Sequence, residues 1–181
     1  NSLWLGLFLK GALHYIPHLN RTVDYNLLSE EVSSGFCIIE DKNDHVWYGG
    51  PSGLFLIDKK KANARPEKIS PLRIFNLVQF NDSILWAGTR KGSMFQINTR
   101  TLKVTSLPIL PHTDLYVTYI YPDSHQRIWI GTDNNGLYVS DRNGSIIASY
   151  SKEQLGSNAI KGIIEDEMNN IWVGTGSGLC C

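Results

Sequence analysis

The chain has 181 residues, with 17 basic and 17 acidic side chains and no net charge at pH 7. That length accommodates one domain with a sizeable core, and the balanced charge supplies no basic surface for a phosphate backbone, which excludes nucleic acid as the expected partner. Three cysteines, Cys37, Cys180 and Cys181, make no disulfide framework, so they leave the redox compartment open.

In chain order, the first feature is the apolar stretch Leu3 to Leu9. It is broken by Gly6, ends at Lys10, and falls far short of the roughly 20 apolar residues that span a bilayer, so no direct membrane contact is expected of it. It contains Leu3-Trp4-Leu5-Gly6, the first copy of a phrase that returns as Val46-Trp47-Tyr48-Gly49, Leu85-Trp86-Ala87-Gly88, Ile128-Trp129-Ile130-Gly131 and Ile171-Trp172-Val173-Gly174. A further glycine follows each copy, at Gly11, Gly53, Gly92, Gly136 and Gly178. A period of about 40 to 45 residues marks an array in which each repeat is one four-stranded propeller blade.

Each repeat reads as a meander of short strands. Residues 32–70 predict strands near Phe36–Glu40, His45–Gly49, Leu54–Asp58 and Pro66–Ser70, and residues 73–107 near Ile74–Phe80, Ser83–Ala87, Ser93–Asn98 and Lys103–Leu107. In 117–150, β-branched and aromatic runs at 117–121, 127–131, 137–140 and 145–150 alternate with turn residues. Asn143-Gly144 suits a two-residue hairpin in which both residues take positive φ. Residues 1–28 lack a first strand and 159–181 reach only the third. The expected fold is therefore an all-β propeller segment of four-stranded antiparallel blades, three complete and two partial. Ser29–Glu31 and Ser151–Leu155 each allow one helical turn at most. The repeated tryptophans offer large apolar area for burial between blades. Gly6, Gly49, Gly88, Gly131 and Gly174 permit close approach of the adjacent sheet, and the later glycines permit the turn to reverse.

The run Ile163-Ile164-Glu165-Asp166-Glu167-Met168-Asn169-Asn170-Ile171-Trp172-Val173-Gly174-Thr175 with Gly178-Leu179 resembles the two-component regulator propeller repeat. So do residues 38–49 with Gly53-Leu54, and the copy at 120–138 keeps Asp123, Ile128–Thr132 and Gly136-Leu137-Tyr138. The third copy departs most, with Phe80-Asn81 in the acidic stretch and Ser93 in place of leucine. The resemblance implies the periplasmic, extracytoplasmic sensor of a hybrid two-component system of Bacteroidetes, built on seven-bladed propellers. It also implies oligosaccharides from glycan breakdown as ligands, with the histidine kinase elsewhere in the protein. On that footing the segment itself catalyses nothing and needs no cofactor, and its partners are a small ligand, the rest of the sensor chain and a second copy in a homodimer.

Loops between second and third strands, and those between blades, should emerge on one face. The first set carries Arg90, Lys91, Asp133 and Asn134, and the second Arg73, His112, Asp114 and Tyr116. Planar polar groups beside aromatic faces suit sugars, so these eight are the candidate ligand-binding residues. Other motifs carry less. Gly174-Thr175-Gly176-Ser177-Gly178 lacks the helix that a phosphate loop needs and reads as a hairpin turn. Asp41-x-Asn43-Asp44 lacks the glycine and glutamate of a calcium loop and reads as a solvated turn. His14, His18, His45, His112 and His125 show no metal-ligand spacing. Competing functions are a protein-interaction scaffold and a propeller polysaccharide lyase or glycosidase, the latter requiring an acid–base pair that the sequence does not display.

Overall fold

The computed structural model describes residues 3–7, 11–24, 35–61, 64–89, 92–107 and 115–181. The described chain forms five antiparallel sheets in sequence order, each a simple meander. The first holds β1 (Leu3–Leu7), β2 (Gly11–Ile16) and β3 (Arg21–Asp24). The second holds β4 (Cys37–Glu40), β5 (His45–Gly50), β6 (Gly53–Asp58) and β7 (Glu67–Ser70). The third holds β8 (Ile74–Asn81), β9 (Ile84–Thr89), β10 (Met94–Asn98) and β11 (Val104–Ser106). The fourth holds β12 (Val117–Pro122), β13 (Ile128–Thr132), β14 (Leu137–Ser140) and β15 (Ile146–Tyr150), and the fifth β16 (Ile160–Glu165), β17 (Ile171–Thr175) and β18 (Gly178–Cys180). One helical turn, α1 (Lys152–Leu155), joins the last two sheets; its capping box pairs Ser151 with Gln154.

Alternation along the tryptophan strands explains the stacking. On β5, Trp47 points to the following sheet, while Val46 and Tyr48 point to the preceding one. Trp47 therefore clusters with Leu54, Leu56, Leu85, Ala87 and Ile97 across the second junction. Trp86 clusters with Ile128, Ile130 and Tyr138 across the third, and Trp129 with Ile163 and Val173 across the fourth. At the first junction Trp4 packs on Val46, Tyr48 and Phe55. Trp47 and Trp86 are wholly buried. Removing about 200 Å² of ring surface from water is worth up to about 5 kcal/mol each, so these indoles dominate the cohesion between sheets.

The glycine two residues beyond Trp47, Trp86 and Trp129 has a definite partner. A Cβ on Gly49 would lie 2.6 Å from Ile74 Cγ2, one on Gly88 2.9 Å from Val117 Cγ1, and one on Gly131 2.6 Å from Ile160 Cγ2. A β-branched residue opening the next first strand thus seats directly on glycine backbone. Side-chain bonds reinforce the same seam: Asn76 Nδ2 donates to Val117 O at 2.8 Å, and Thr118 Oγ1 to Ile160 O at 2.9 Å. First strands account for most contacts between sheets, so β4, β8, β12 and β16 converge on the inner side of the stack.

Two sequence expectations need correcting. The β14–β15 connection is a five-residue loop, since Ser140 pairs with Ile146. Asp141 Oδ1 accepts from Asn143 N at 2.8 Å and Ser145 N at 2.9 Å, and in this stretch only Gly144 takes positive φ, at 88°. An Asx turn competes successfully with the two-residue hairpin because aspartate captures two backbone donors at once. The turn at Asp41 is solvated at Lys42 and Asp44 as expected, but not at Asp41 itself, whose carboxylate is buried. Ser29–Glu31 lies outside the described residues.

Candidate functional site

Four of the eight candidate residues are described: Arg73, Tyr116, Asp133 and Asn134. Arg90, Lys91, His112 and Asp114 lie outside the described residues. Tyr116 immediately precedes β12, and Asp133 opens the loop between β13 and β14. Asp133 N donates to Tyr116 O at 3.1 Å, and Tyr116 N donates to Asp133 Oδ1 at 3.4 Å. Linker and loop are thereby pinned to one rim. The same loop reaches the next linker, where Gly136 N donates to Asn158 O at 2.9 Å, and the fifth sheet repeats the contact with Gly176 N donating to Ala159 O at 2.9 Å.

Local chemistry shapes these loops. Thr132 Oγ1 donates to Gly136 O at 2.7 Å and accepts from Asn135 N at 2.9 Å. Thr89 and Thr175 close their loops in the same way, onto Ser93 O and Gly178 O. On the resulting rim Tyr116 is 37% exposed, Asn134 is exposed and Asp133 half-buried. Arg73 is exposed and stands one residue before β8, where Tyr116 stands before β12. The arrangement offers an aromatic face, a carboxylate, an amide and a guanidinium for hydrogen bonding and stacking. Asp133 is the one carboxylate among the four described candidates. No cluster of three His, Cys, Asp or Glu side chains suited to a metal occurs among the described residues. His14 instead stacks on Trp4, with ring centroids 4.1 Å apart, and burial, then the Lys59 charge, push its pKa down.

A recurring element on the opposite rim was not singled out from the sequence. Asp41, Asp123 and Asp166 each stand six residues before a tryptophan and accept its indole N–H at 2.8 Å. Each also caps its own turn: Asp123 Oδ1 takes His125 N at 3.0 Å and Arg127 N at 2.8 Å. The fourth turn residue, Asp44, Gln126 or Asn169, takes φ near 64°. Burial pushes the Asp123 carboxyl up, but the indole, the Arg127 amide and the Arg127 guanidinium outweigh it and hold the group below the usual carboxylate range. The Asp166 carboxyl is held at about 2, chiefly by the Trp172 indole and then by Asn170. These turns also join blades, since Ser124 N donates to Glu165 Oε2 at 2.8 Å and Asn43 Nδ2 to Thr99 Oγ1 at 3.2 Å. The recurrence of aspartate six residues before Trp47, Trp129 and Trp172 was the available signal.

Five meandering sheets stacked face to face through indoles and glycines define a β-propeller segment. Within that class, residues 112–134 and 154–177 match the sequence pattern of the two-component regulator propeller repeat. It is 29% identical over 136 residues to a histidine kinase of Formosa agariphila, an alignment covering 67% of this chain and 10% of that protein. Its fold superposes on the extracellular domain of a putative one component system from B. thetaiotaomicron with a TM-score of 0.80 and 24% identity, over 98% of this chain and 25% of that one. The β-propeller domain of Cps50 (Swd1) from Myceliophteria thermophila gives a TM-score of 0.71 at 15% identity, over 96% of this chain and 58% of that one. The chain thus spans about a tenth of the kinase and about a quarter of the extracellular domain.

Proposed function

We propose that this chain is a non-catalytic, ligand-sensing segment of the periplasmic sensor of a hybrid two-component signalling protein, and that it responds to oligosaccharides derived from glycans. The repeat family and the likeness to a histidine kinase support the sensor role. The observation that carries the ligand reading is the rim where Tyr116 and Asp133 are locked together by a backbone bond and by a bond from Tyr116 N to the Asp133 carboxylate. A part-exposed aromatic ring beside fixed planar polar groups suits a sugar's apolar face and its hydroxyls. The kinase belongs to another part of such a protein, and the remaining sensor chain and a second copy are its partners in signalling.

The test is thermal unfolding of the full extracytoplasmic portion against a panel of oligosaccharides. A glycan at 100 times its dissociation constant stabilises by about 2.7 kcal/mol, and Tyr116→Ala should remove that shift without lowering the unliganded Tm. No stabilisation by any glycan, together with capture of a protein partner, would establish the scaffold instead.

A further inference from the structure

We infer that the Phe36 and Phe75 rings form a stacking platform at the inner mouth of the propeller, and that Arg73 and Lys161 on the same inner side select an oligosaccharide bearing carboxylate groups. The inference rests on the ligand reading above and adds to it a second tier of contacts and a charge for the ligand. Three features carry it.

The first is a break in register that recurs on the inner strands. Between first and second strands the pairing skips from Ile74 to Asn76, from Val117 to Tyr119 and from Ile160 to Gly162. Phe36 N likewise donates to Gly49 O at 2.8 Å, although Gly49 already pairs with Cys37. The residues passed over, Phe36, Phe75, Thr118 and Lys161, each stand eleven positions before a tryptophan. Ile74 seats on Gly49 of the sheet before, and Asn76 Nδ2 reaches Val117 O of the sheet after. Val117 and Tyr119 divide in the same way, Val117 against Gly88 and Tyr119 in the cluster of the fourth junction. With both blade faces taken by its neighbours, the bulged residue turns toward the inner side of the stack.

The second is what occupies these places. Phe36 and Phe75 stack with ring centroids 4.9 Å apart and planes inclined by 22°. The stack joins two complete sheets, β4–β7 and β8–β11, so it owes nothing to either end of the chain. Phe75 has four-stranded sheets on both sides and is still only half-buried. A ring pair turned inward and partly open to water offers a flat apolar surface on which the C–H face of a sugar can stack. Beside it, Thr118 Oγ1 donates to Ile160 O at 2.9 Å, which leaves that hydroxyl oxygen to accept from a sugar hydroxyl.

The third is charge. Arg73 and Tyr116 stand two residues before Phe75 and Thr118, on the rim outside the bulges. Arg73 and Lys161 are exposed, and among the described residues at the bulged positions and the rim positions two before them, these two are the only charged side chains. The nearby Asp133 carboxylate is already turned to Tyr116 N. A carboxylate-bearing sugar complements both cations, as a neutral one does not.

The probes are uronic acid trimers, of galacturonate, mannuronate, guluronate and glucuronate, together with the neutral trimers obtained by reducing their carboxyl groups. Each is titrated calorimetrically into the full extracytoplasmic portion. An acidic trimer should bind, and its reduced form should bind at least about tenfold more weakly, the factor that one charge-assisted hydrogen bond supplies. Lys161→Met should remove most of that preference and Lys161→Arg restore it. Phe36→Leu and Phe75→Leu, which keep apolar bulk, should weaken acidic and reduced trimers alike by about fivefold. Equal affinity for acidic and reduced trimers would overturn the inference and leave the oligosaccharide reading standing. So would binding of an acidic trimer that neither Lys161→Met nor Phe75→Leu weakens. Failure of every acidic trimer would overturn it too; stabilisation by a neutral glycan of the earlier panel would then preserve the reading beneath it, and failure of that whole panel would remove both.

Discussion

Replacing Asp123 by alanine tests whether the aspartate turns hold the tryptophans in place. Its carboxylate accepts four bonds: His125 N at 3.0 Å, Arg127 N at 2.8 Å, Arg127 Nε at 2.6 Å and Trp129 Nε1 at 2.8 Å. Asp123 is 6% and Trp129 8% exposed, so alanine would strand an indole and two amide donors with little access to water. Each unsatisfied donor costs about 1–3 kcal/mol. The Arg127 side chain is 40% exposed, so its ion pair adds little, and water can follow it into the vacated space. The lower end of the range then applies, giving about 3–4 kcal/mol for Asp123→Ala. Asp123→Asn keeps an oxygen for the two amides but turns an NH₂ toward the indole, for a loss of about 2 kcal/mol.

The chain contains its own comparison. Six residues before Trp86 stands Phe80, whose ring centroid lies 6.3 Å from the indole, and the Trp86 N–H has no acceptor among the described residues. Only one donor is stranded there, because Asn81 Oδ1 caps its own turn by accepting from Ser83 N at 2.9 Å. Urea unfolding measures the stability changes, and the ¹⁵N-indole spectrum measures exchange at each tryptophan separately. Asp123→Ala should accelerate exchange at Trp129 while leaving Trp47 slow. A loss below about 1 kcal/mol, or an unchanged Trp129 indole signal, would refute the reasoning.

The seams between sheets predict an asymmetry among equivalent glycines. Gly131→Ala drives a methyl into Ile160 and should cost about 2–3 kcal/mol in urea unfolding, whereas Gly174→Ala, whose nearest neighbour would be Gly162 backbone at 3.8 Å, should change stability little. Acid sensitivity follows from the depressed carboxyls of Asp123 and Asp166. Their contribution is complete above the unfolded value of about 4 and drains away as pH falls toward about 2, the folded value for Asp166; circular dichroism should show the loss in that window, and Asp166→Asn should flatten it. Burial pushes the Cys37 thiol up to about 12, so native iodoacetamide labelling at pH 8 read by mass spectrometry should modify exposed Cys181 and spare Cys37 until the protein unfolds.

Legibility in the sequence followed the kind of interaction involved. Trp47-Tyr48-Gly49 and its relatives announce the fold because each residue answers to a generic demand: bulk on one face, none two residues on, and a reversal after that. Such demands recur at every junction and so print a period. The shorter of the two bonds that pair Tyr116 with Asp133 is made by backbone atoms that any residues possess, and the longer one uses a carboxylate that reads as an ordinary loop residue, so the sequence did not disclose the pairing. The aspartate–indole bond was missed for a different reason. Asp41, Asp123 and Asp166 read as ordinary turn residues, since capping a turn and accepting an indole use the same carboxylate, and only the coincidence of a six-residue offset separates the two. The Asp141 turn shows why that offset matters: it captures Asn143 N and Ser145 N just as Asp123 captures its amides, but the sixth residue on is Ile147, 56% exposed, with no N–H to offer from its side chain. The same local motif therefore serves as a loop closure in one hairpin of a blade and as an anchor for the core in another. What decides between them is whether the strand that follows places an indole over the second carboxylate oxygen.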